Sequence, residues 1–130
     1  MSICLSVGAA IVSIVAQQFT LSWTHSVERI LWQEDWQVNG QTLSLIEARV
    51  RGSGAGMEVP DGAVLIEGVW HYRAPLNVPS LNLTVSPFGR DEYQICLHNK
   101  GCQNIPEVLK KAGQEPTELS YVVKVSPCTH

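Results

Sequence analysis

The chain has 130 residues and a net charge of -3, with 45% hydrophobic and 16% charged residues. This composition excludes a disordered chain, and the length is typical of one domain, so we expect residues 1–130 to fold as a single domain. The sequence has no basic stripe, which argues against a nucleic acid partner, and no polybasic cluster that would bind an anionic membrane surface.

The N-terminal residues 3–16 form an apolar run that is too short to span a bilayer, which takes about 20 residues. No Lys or Arg precedes the run and no A-x-A-like motif follows it, so a cleaved signal peptide is only the alternative interpretation. The β-branched residues around Gly8 instead predict two short buried strands joined by a turn. We therefore expect no transmembrane segment and, by default, a cytoplasmic protein.

Alternation of apolar and polar residues predicts one strand over residues 19–24 and another over residues 30–38. Asn39-Gly40 follows the second strand and is typical of a tight hairpin, with residues 41–50 as the returning strand. A two-residue turn at Asn39-Gly40 predicts the following cross-strand pairs: Val38 with Gln41, Trp36 with Leu43, and Glu34 with Leu45.

The second half of the chain contains further short strand-like segments separated by Gly or Pro, at residues 63–72, 81–85, 93–97 and 119–125. One short helix is predicted near residues 105–112, because Asn104 can cap it and Pro106 suits its first turn. Together these elements predict a mostly β fold: a small β-sandwich or a partly open barrel of short antiparallel strands with one short helix.

His25 and Ser26 follow the first long strand and combine a base with a nucleophile. Adjacent strand residues point to opposite faces, so the two side chains meet only at a kink, and the pair also needs an orienting group such as Glu34. The simpler interpretation is that both side chains satisfy backbone groups at a strand end.

Glu34 lies between Trp32 and Trp36 on the predicted apolar face, where an unpaired carboxylate is unfavourable. Either Arg49 or Arg51 on the returning strand can pair with it, which would make Glu34 structural. Alternatively, Glu34 and His25 line one pocket that binds a cation or a polar ligand. A carboxylate in such an aromatic setting has a raised pKa, as at many functional sites.

The segment Gly52-Ser53-Gly54-Ala55-Gly56 is too rich in glycine for a regular strand and predicts a loop. Such loops can direct backbone N–H groups at an anion. No Lys-Ser, Lys-Thr or helix pattern follows, so neither the nucleotide P-loop nor the dinucleotide fingerprint is present. An anion-binding loop and a plain loop with positive φ are equal alternatives.

Four cysteines are present. Cys96 and Cys102 flank a predicted turn, so a disulfide between them is geometrically possible, as is a reduced pair. Cys4 and Cys128 can pair only if the first and last strands are neighbours, which the sequence does not show.

Three of these segments together resemble the family of small bacterial proteins catalogued as domain of unknown function 1850 (DUF1850). The resemblance lies in FTLSWTHSVE (19–28), EDW (34–36) and GSGAGM (52–57), with the later Ile95-Cys96-Leu97 and Cys102. It implies a site at the motif positions His25, Ser26, Glu34, Gly54, Ala55 and Gly56.

Genes of that family often neighbour those of tripartite ATP-independent periplasmic (TRAP) transporters of the TAXI type, and many relatives have an N-terminal hydrophobic anchor. The resemblance therefore implies an accessory of such a transporter that lies outside the cytoplasm, in the periplasm or at the membrane. This is the alternative to the cytoplasmic location expected by default.

We expect an accessory or binding module that contacts a TRAP transporter component or its small-molecule substrate and catalyses no reaction. The alternative is a small hydrolase-like enzyme that uses His25, Ser26 and Glu34. A third interpretation, a metal-binding module of His25, Glu34 and His71, rests on an unspecific spacing, and we predict no metal and no other cofactor.

Overall fold

The computed structural model describes residues 1–24, 30–51, 62–73, 76–86 and 92–128. These residues form two antiparallel β-sheets and one short helix, which confirms the predicted mostly β fold of a small β-sandwich. Neither sheet closes into a barrel within these ranges. The same ranges contain no helix with the length and hydrophobicity of a membrane span.

In chain order, the strands are β1 (Ser2–Val7), β2 (Ala10–Val15), β3 (Gln18–Thr24), β4 (Leu31–Asn39), β5 (Thr42–Arg51), β6 (Val64–Ile66), β7 (Val69–Tyr72), β8 (Asn77–Val78), β9 (Leu81–Val85), β10 (Gln94–Leu97), β11 (Gly101–Asn104) and β12 (Tyr121–Pro127). The helix α1 (Ile105–Lys111) lies between β11 and β12. The smaller sheet has the order β2-β1-β12-β9. The larger sheet has the order β11-β10-β3-β4-β5-β7-β6, and β8 also pairs with β5.

The N-terminal apolar run forms the β1–β2 hairpin around Gly8, which has a φ of 57°. The prediction of two buried strands is correct for β1, whose Ile3 and Leu5 are fully buried. It is wrong for β2, where Ile11 is 60% and Val15 75% exposed. The reason is that successive strand residues point to opposite faces of the sheet: Val12 and Ile14 pack against the core, whereas Ile11 and Val15 lie on the outward face.

The core lies between the two sheets. Its side chains come from the inward-facing residues of the strands, which alternate with outward-facing ones. The buried core side chains are Ile3, Leu5, Leu83, Val123 and Val125 of the smaller sheet, Phe19, Leu21, Trp36, Val38, Leu43 and Ile95 of the larger sheet, and Ile105, Val108 and Leu109 of the helix. Within the described residues, this core includes no side chain of β6 or β7. The smaller sheet therefore packs against only part of the larger one.

The helix begins and ends where the sequence predicts. The Asn104 side chain accepts a 2.8 Å hydrogen bond from the Glu107 backbone N–H, and Pro106 lies in the first turn. Gly113 follows the last turn with a φ of 71°, a conformation that favours glycine at helix ends. The Ile105 and Leu109 side chains of the helix are almost completely buried, so packing stabilises a helix that is too short to be stable alone.

The β4–β5 hairpin exists as predicted, but its predicted register is wrong. Asn39 pairs with Thr42, so the two-residue loop is Gly40-Gln41, with Gly40 at a φ of 65°. A glycine at the first loop position is the requirement of a type II′ turn. The turn therefore lies one residue later than Asn39-Gly40, and Val38 pairs with Leu43 instead of Gln41.

A β-bulge between Asp35 and Trp36 shifts the register once more. Trp36 pairs with Leu45, whereas Asp35 pairs with Glu47, so Ile46 is the extra residue on β5. The inward-facing residues of β5 therefore change from odd to even numbers at the bulge. Before the bulge they are Leu43 and Leu45, and after it they are Ala48 and Val50. As a result, Glu34 pairs with Ala48 and not with the predicted Leu45.

Two disulfides join the described cysteines, and none of these is free. Cys4 bonds to Cys128, which is possible because β1 and β12 are paired neighbours. Cys96 bonds to Cys102, and the two residues lie directly opposite each other on β10 and β11. The first bond closes a sequence separation of 124 residues and the second a separation of 6.

We expect the two bonds to stabilise the fold unequally, because a disulfide restricts the unfolded chain more when it closes a longer loop. Removing the first bond in a Cys4→Ser/Cys128→Ser variant should lower the free energy of unfolding by about 5 kcal/mol, and Cys96→Ser/Cys102→Ser by about 2 kcal/mol. Urea denaturation of the two variants and the wild type measures both values. Equal losses would contradict the chain-entropy explanation.

Candidate functional site

Four aromatic side chains form a row across the inner face of the larger sheet. We call Tyr93, Trp23, Trp32 and Trp70 the aromatic row. Trp23 pairs with Trp32, and their rings stack with centroids 6.0 Å apart. The Tyr93 ring lies 5.6 Å from Trp23, and Trp70 lies across β5 from Trp32, with Val50 between them. All four are half-buried, so part of each ring remains accessible.

Glu34 lies two residues from Trp32 and therefore on the same face. Its cross-strand neighbours are Leu21 on β3 and Ala48 on β5, both almost fully buried. The Trp36 indole N–H donates a 3.2 Å hydrogen bond to the Glu34 carboxylate. Because Trp36 is buried, this bond satisfies a donor that would otherwise have no partner in the core.

Burial raises the pKa of the Glu34 carboxyl above its ordinary value of 4.5, and the hydrogen bond from Trp36 lowers it only in part. Tyr72, across Ala48 from Glu34, also has a raised pKa, because of its own burial and then the Glu34 charge. Glu34 and Tyr72 thus form a pair of titratable groups below the aromatic row, in a setting that disfavours negative charge.

The opposite, outer face of the same strands bears an ion-pair network. Arg49 donates two hydrogen bonds to Asp35, from Nη1 at 2.6 Å and from Nη2 at 2.9 Å, and Thr20 donates a third at 2.6 Å. Glu47 accepts from the other side, with its Oε1 3.5 Å from Arg49 Nη1 and 2.7 Å from His71 Nδ1. The hydrogen bond from Arg49 lowers the pKa of Asp35, so this carboxylate is stable as an anion.

This network excludes one structural interpretation of Glu34. Arg49 pairs with Asp35 on the outer face, so it does not neutralise Glu34 on the inner face. Among the described residues, no Lys or Arg lies within ion-pair distance of Glu34. The Glu34 carboxylate is therefore positioned by an indole N–H and not by a cation.

The metal-binding interpretation also fails for two of its three residues. His71 pairs with Arg49 and lies on the outer face, whereas Glu34 lies on the inner face, so one ion cannot contact both. The described residues contain no group of three His, Cys, Asp or Glu side chains suited to a metal ion.

The other predicted site residues lie outside the described ranges: His25, Ser26, Gly54, Ala55 and Gly56. Their roles, and the hydrolase-like combination of His25 and Ser26 with Glu34, stay predictions. The last described residues before these positions are Thr24, which follows Trp23, and Arg51, which follows Val50. They lie on β3 and β5, two strand spacings or about 10 Å apart. Thr24 and Arg51 therefore both lie at the end of the larger sheet where the aromatic row lies.

Sequence reasoning found Glu34, Trp32 and Trp36 but missed Trp70, Tyr72 and Tyr93 as parts of the same face. A signal was present, because Trp70 and Tyr72 are spaced by two residues, as inward positions of one strand are. The missing information was the pairing of β7 with β5, a long-range contact that alternation within one strand does not define.

Glu34 and its neighbour Asp35 should have opposite effects on stability at pH 7. Replacing Glu34 with Gln removes a desolvated charge but keeps an oxygen that accepts from Trp36, so it should stabilise the fold by about 1 kcal/mol. Replacing Asp35 with Asn weakens the bonds to Arg49 and should destabilise the fold by about 1–2 kcal/mol. Thermal melts of both variants beside the wild type measure the difference.

The pH dependence provides the control. A raised pKa means that folded Glu34 holds its proton more tightly than the unfolded chain does, so its contribution to stability falls as the pH rises above 4.5. Asp35 contributes fully to stability at pH values above its ordinary pKa of 3.8. This contribution is lost as the pH falls through the lowered pKa of the folded state. The advantage of Glu34→Gln over the wild type should therefore disappear below pH 4.5. A Glu34→Gln variant that melts lower at pH 7 would contradict this assignment.

One known protein family matches the chain. The family model described as "Domain of unknown function (DUF1850)" matches residues 19–104. This range contains β4 to β11, all of β3 except Gln18, and the whole of the face around Glu34. No curated protein and no solved structure matches the chain. Since the match covers well over half of the sequence, the chain belongs to the DUF1850 family.

Proposed function

We propose that this DUF1850 protein is a non-enzymatic binding module that assists a TAXI-type TRAP transporter. Its binding site is the inner face of the larger sheet, where Glu34 lies below the aromatic row. The transporter association comes from the family resemblance, and the site comes from the geometry.

The observation that supports the site is a half-buried carboxylate without a described cationic partner, beside accessible aromatic rings. Structural carboxylates in apolar surroundings are usually neutralised by Arg or Lys, as Asp35 is on the outer face. Glu34 accepts one hydrogen bond from Trp36, and a carboxylate has further lone pairs to offer. A ligand with a donor or a positive charge can use these lone pairs.

The chemistry of the face defines the class of ligand. Trp and Tyr rings bind flat or apolar groups and the faces of organic cations, whereas the carboxylate binds a hydrogen-bond donor. Few polar groups among aromatic side chains are typical of small-molecule sites. The ligand is therefore a small molecule with an amine or another donor beside an apolar part.

The strands that precede the predicted motif residues both end beside the aromatic row, at Thr24 and at Arg51. In sequence, His25 and Ser26 follow Thr24, and Gly54, Ala55 and Gly56 come shortly after Arg51. We propose that they contribute to the same binding site.

The disulfides support the periplasmic alternative over the cytoplasmic default. Disulfides persist in oxidising compartments and are rare in the cytoplasm. Both bonds lie on outward faces of their sheets, with Cys102 exposed. An oxidising location is the side of the membrane on which a periplasmic transport system binds its substrates.

The binding proposal is tested by calorimetric titration of the purified protein with a panel of amines, amino acids and dicarboxylates. We expect a compound with an amine to bind and to change the tryptophan fluorescence, because the aromatic row would contact it. Glu34→Gln should weaken that binding about 10–100-fold through the loss of one charge partner. Asp35→Asn is the matched control, since it alters the adjacent carboxylate on the outer face and should leave the affinity unchanged.

Co-purification with the membrane subunits of a TAXI-type transporter tests the partner separately. Capture of those subunits supports the accessory role. A ligand that binds while no transporter subunit is captured would overturn the accessory role and keep the binding site.

Equal loss of affinity in the Glu34→Gln and Asp35→Asn variants would overturn the binding site. Turnover of an ester or amide that depends on Ser26 would replace the binding module by the hydrolase-like enzyme.

A further inference from the structure

We propose that the Cys96–Cys102 bond is a site of reversible thiol–disulfide exchange with a small external thiol. The thiol attacks Cys96 from a cleft on the outer face of the larger sheet, and the Cys4–Cys128 bond stays intact. This inference concerns the opposite face from Glu34 and is independent of the binding module.

The bond lies at an accessible edge of the fold. Cys102 is on β11, an edge strand of the larger sheet, and the residue is exposed. Cys96 is half-buried on β10, directly opposite Cys102 and, on its other side, opposite Thr20 of β3. Exposed disulfides are the ones that exchange most readily, because the attacking thiolate must reach a sulfur.

A cleft of about 380 Å³ opens beside Cys96, and its lining includes Thr20, Asp35, Ile46 and His98. Exchange requires the attacking sulfur, the attacked sulfur and the leaving sulfur to lie nearly in line. Cys102 lies on the β11 side of Cys96, so the attack must come from the β3 side, over Thr20. That is the side on which the cleft lies, and its volume admits a small thiol.

Each step is balanced. A thiolate attacks Cys96 Sγ and forms a mixed disulfide, and Cys102 leaves as a thiolate that water solvates because this residue is exposed. A second thiolate attacks the external sulfur of the mixed disulfide and releases Cys96 as a thiolate. Two external thiols become one external disulfide, their two electrons reduce the protein bond, and their two protons end on Cys96 and Cys102. An external disulfide reverses the sequence.

The fold survives this reduction because other contacts hold the hairpin. β10 is paired with β3 as well as with β11, and the chain passes directly from β11 into the helix. Ile105 and Leu109 fix that helix in the core. The bond closes a separation of only 6 residues, so its loss releases little chain entropy.

The Cys4–Cys128 bond differs in both access and consequence. Cys4 and Cys128 are both half-buried, whereas Cys102 is exposed, and a thiolate reaches an exposed disulfide more readily. Reduction of the Cys4–Cys128 bond would release the covalent connection between two strands separated by 124 residues. It is therefore the structural bond of the pair.

The test exposes the folded wild-type protein to reduced glutathione, stops the exchange with an alkylating reagent, and locates each label by peptide mass spectrometry. We expect Cys96 and Cys102 to lose their bond about tenfold faster than Cys4 and Cys128. The glutathione adduct should be on Cys96 and the alkyl label on Cys102, with circular dichroism unchanged. Equal rates, an adduct on Cys102, or loss of the fold with this bond would each overturn the proposal.

A second variant tests the cleft itself. Ile46→Trp fills the cleft and should slow the exchange at Cys96 several-fold, whereas Ile11→Trp, a matched change on the exposed face of the smaller sheet, should not. An exchange rate that Ile46→Trp leaves unchanged would show that the thiol does not enter through this cleft.

Discussion

The β-bulge opposite Asp35 and Trp36 determines which side chains of β5, the longest described strand, face the core. Before the bulge, Leu43 and Leu45 point inward with Trp36, and they contribute to the contact between the sheets. After it, the inward positions are Ala48 and Val50. A strand that kept its phase would direct Glu47 and Arg49 inward instead, and two charged side chains would then face the core. Both the apolar core and the ion-pair network depend on this extra residue.

The two faces of the larger sheet consequently hold two carboxylates in opposite states. Glu34 and Asp35 are adjacent in sequence, yet one is desolvated beside aromatic rings and the other is bound by a guanidinium. The neighbour of Glu34 on β5 is the small side chain of Ala48 and not the larger one of Leu45. The site is thus a result of the strand pairing as much as of the residue types, and this explains why a carboxylate can remain available on an otherwise apolar face.

The sequence was sufficient for the strand pattern, the hairpin and the helix, because alternation, Gly40 and the Asn104 cap are local signals. It placed Glu34 between two tryptophans correctly. It misplaced the turn by one residue, since Asn39-Gly40 and Gly40-Gln41 are both acceptable loops and only the cross-strand packing selects between them. The bulge and the pairing of β7 with β5 have no local signature, so the register and the aromatic row required the three-dimensional structure.

The bond between Cys4 and Cys128 makes almost the entire chain a covalent ring. A protease that cuts any peptide bond between these residues produces two pieces that remain attached to each other. Such a nick opens the ring without separating β1 from β12, so the nicked molecule differs in mass from the intact one only by one added water until a reductant is added. A protein of this kind tolerates damage in its loops in an environment that contains proteases, and it does so without any change in its core.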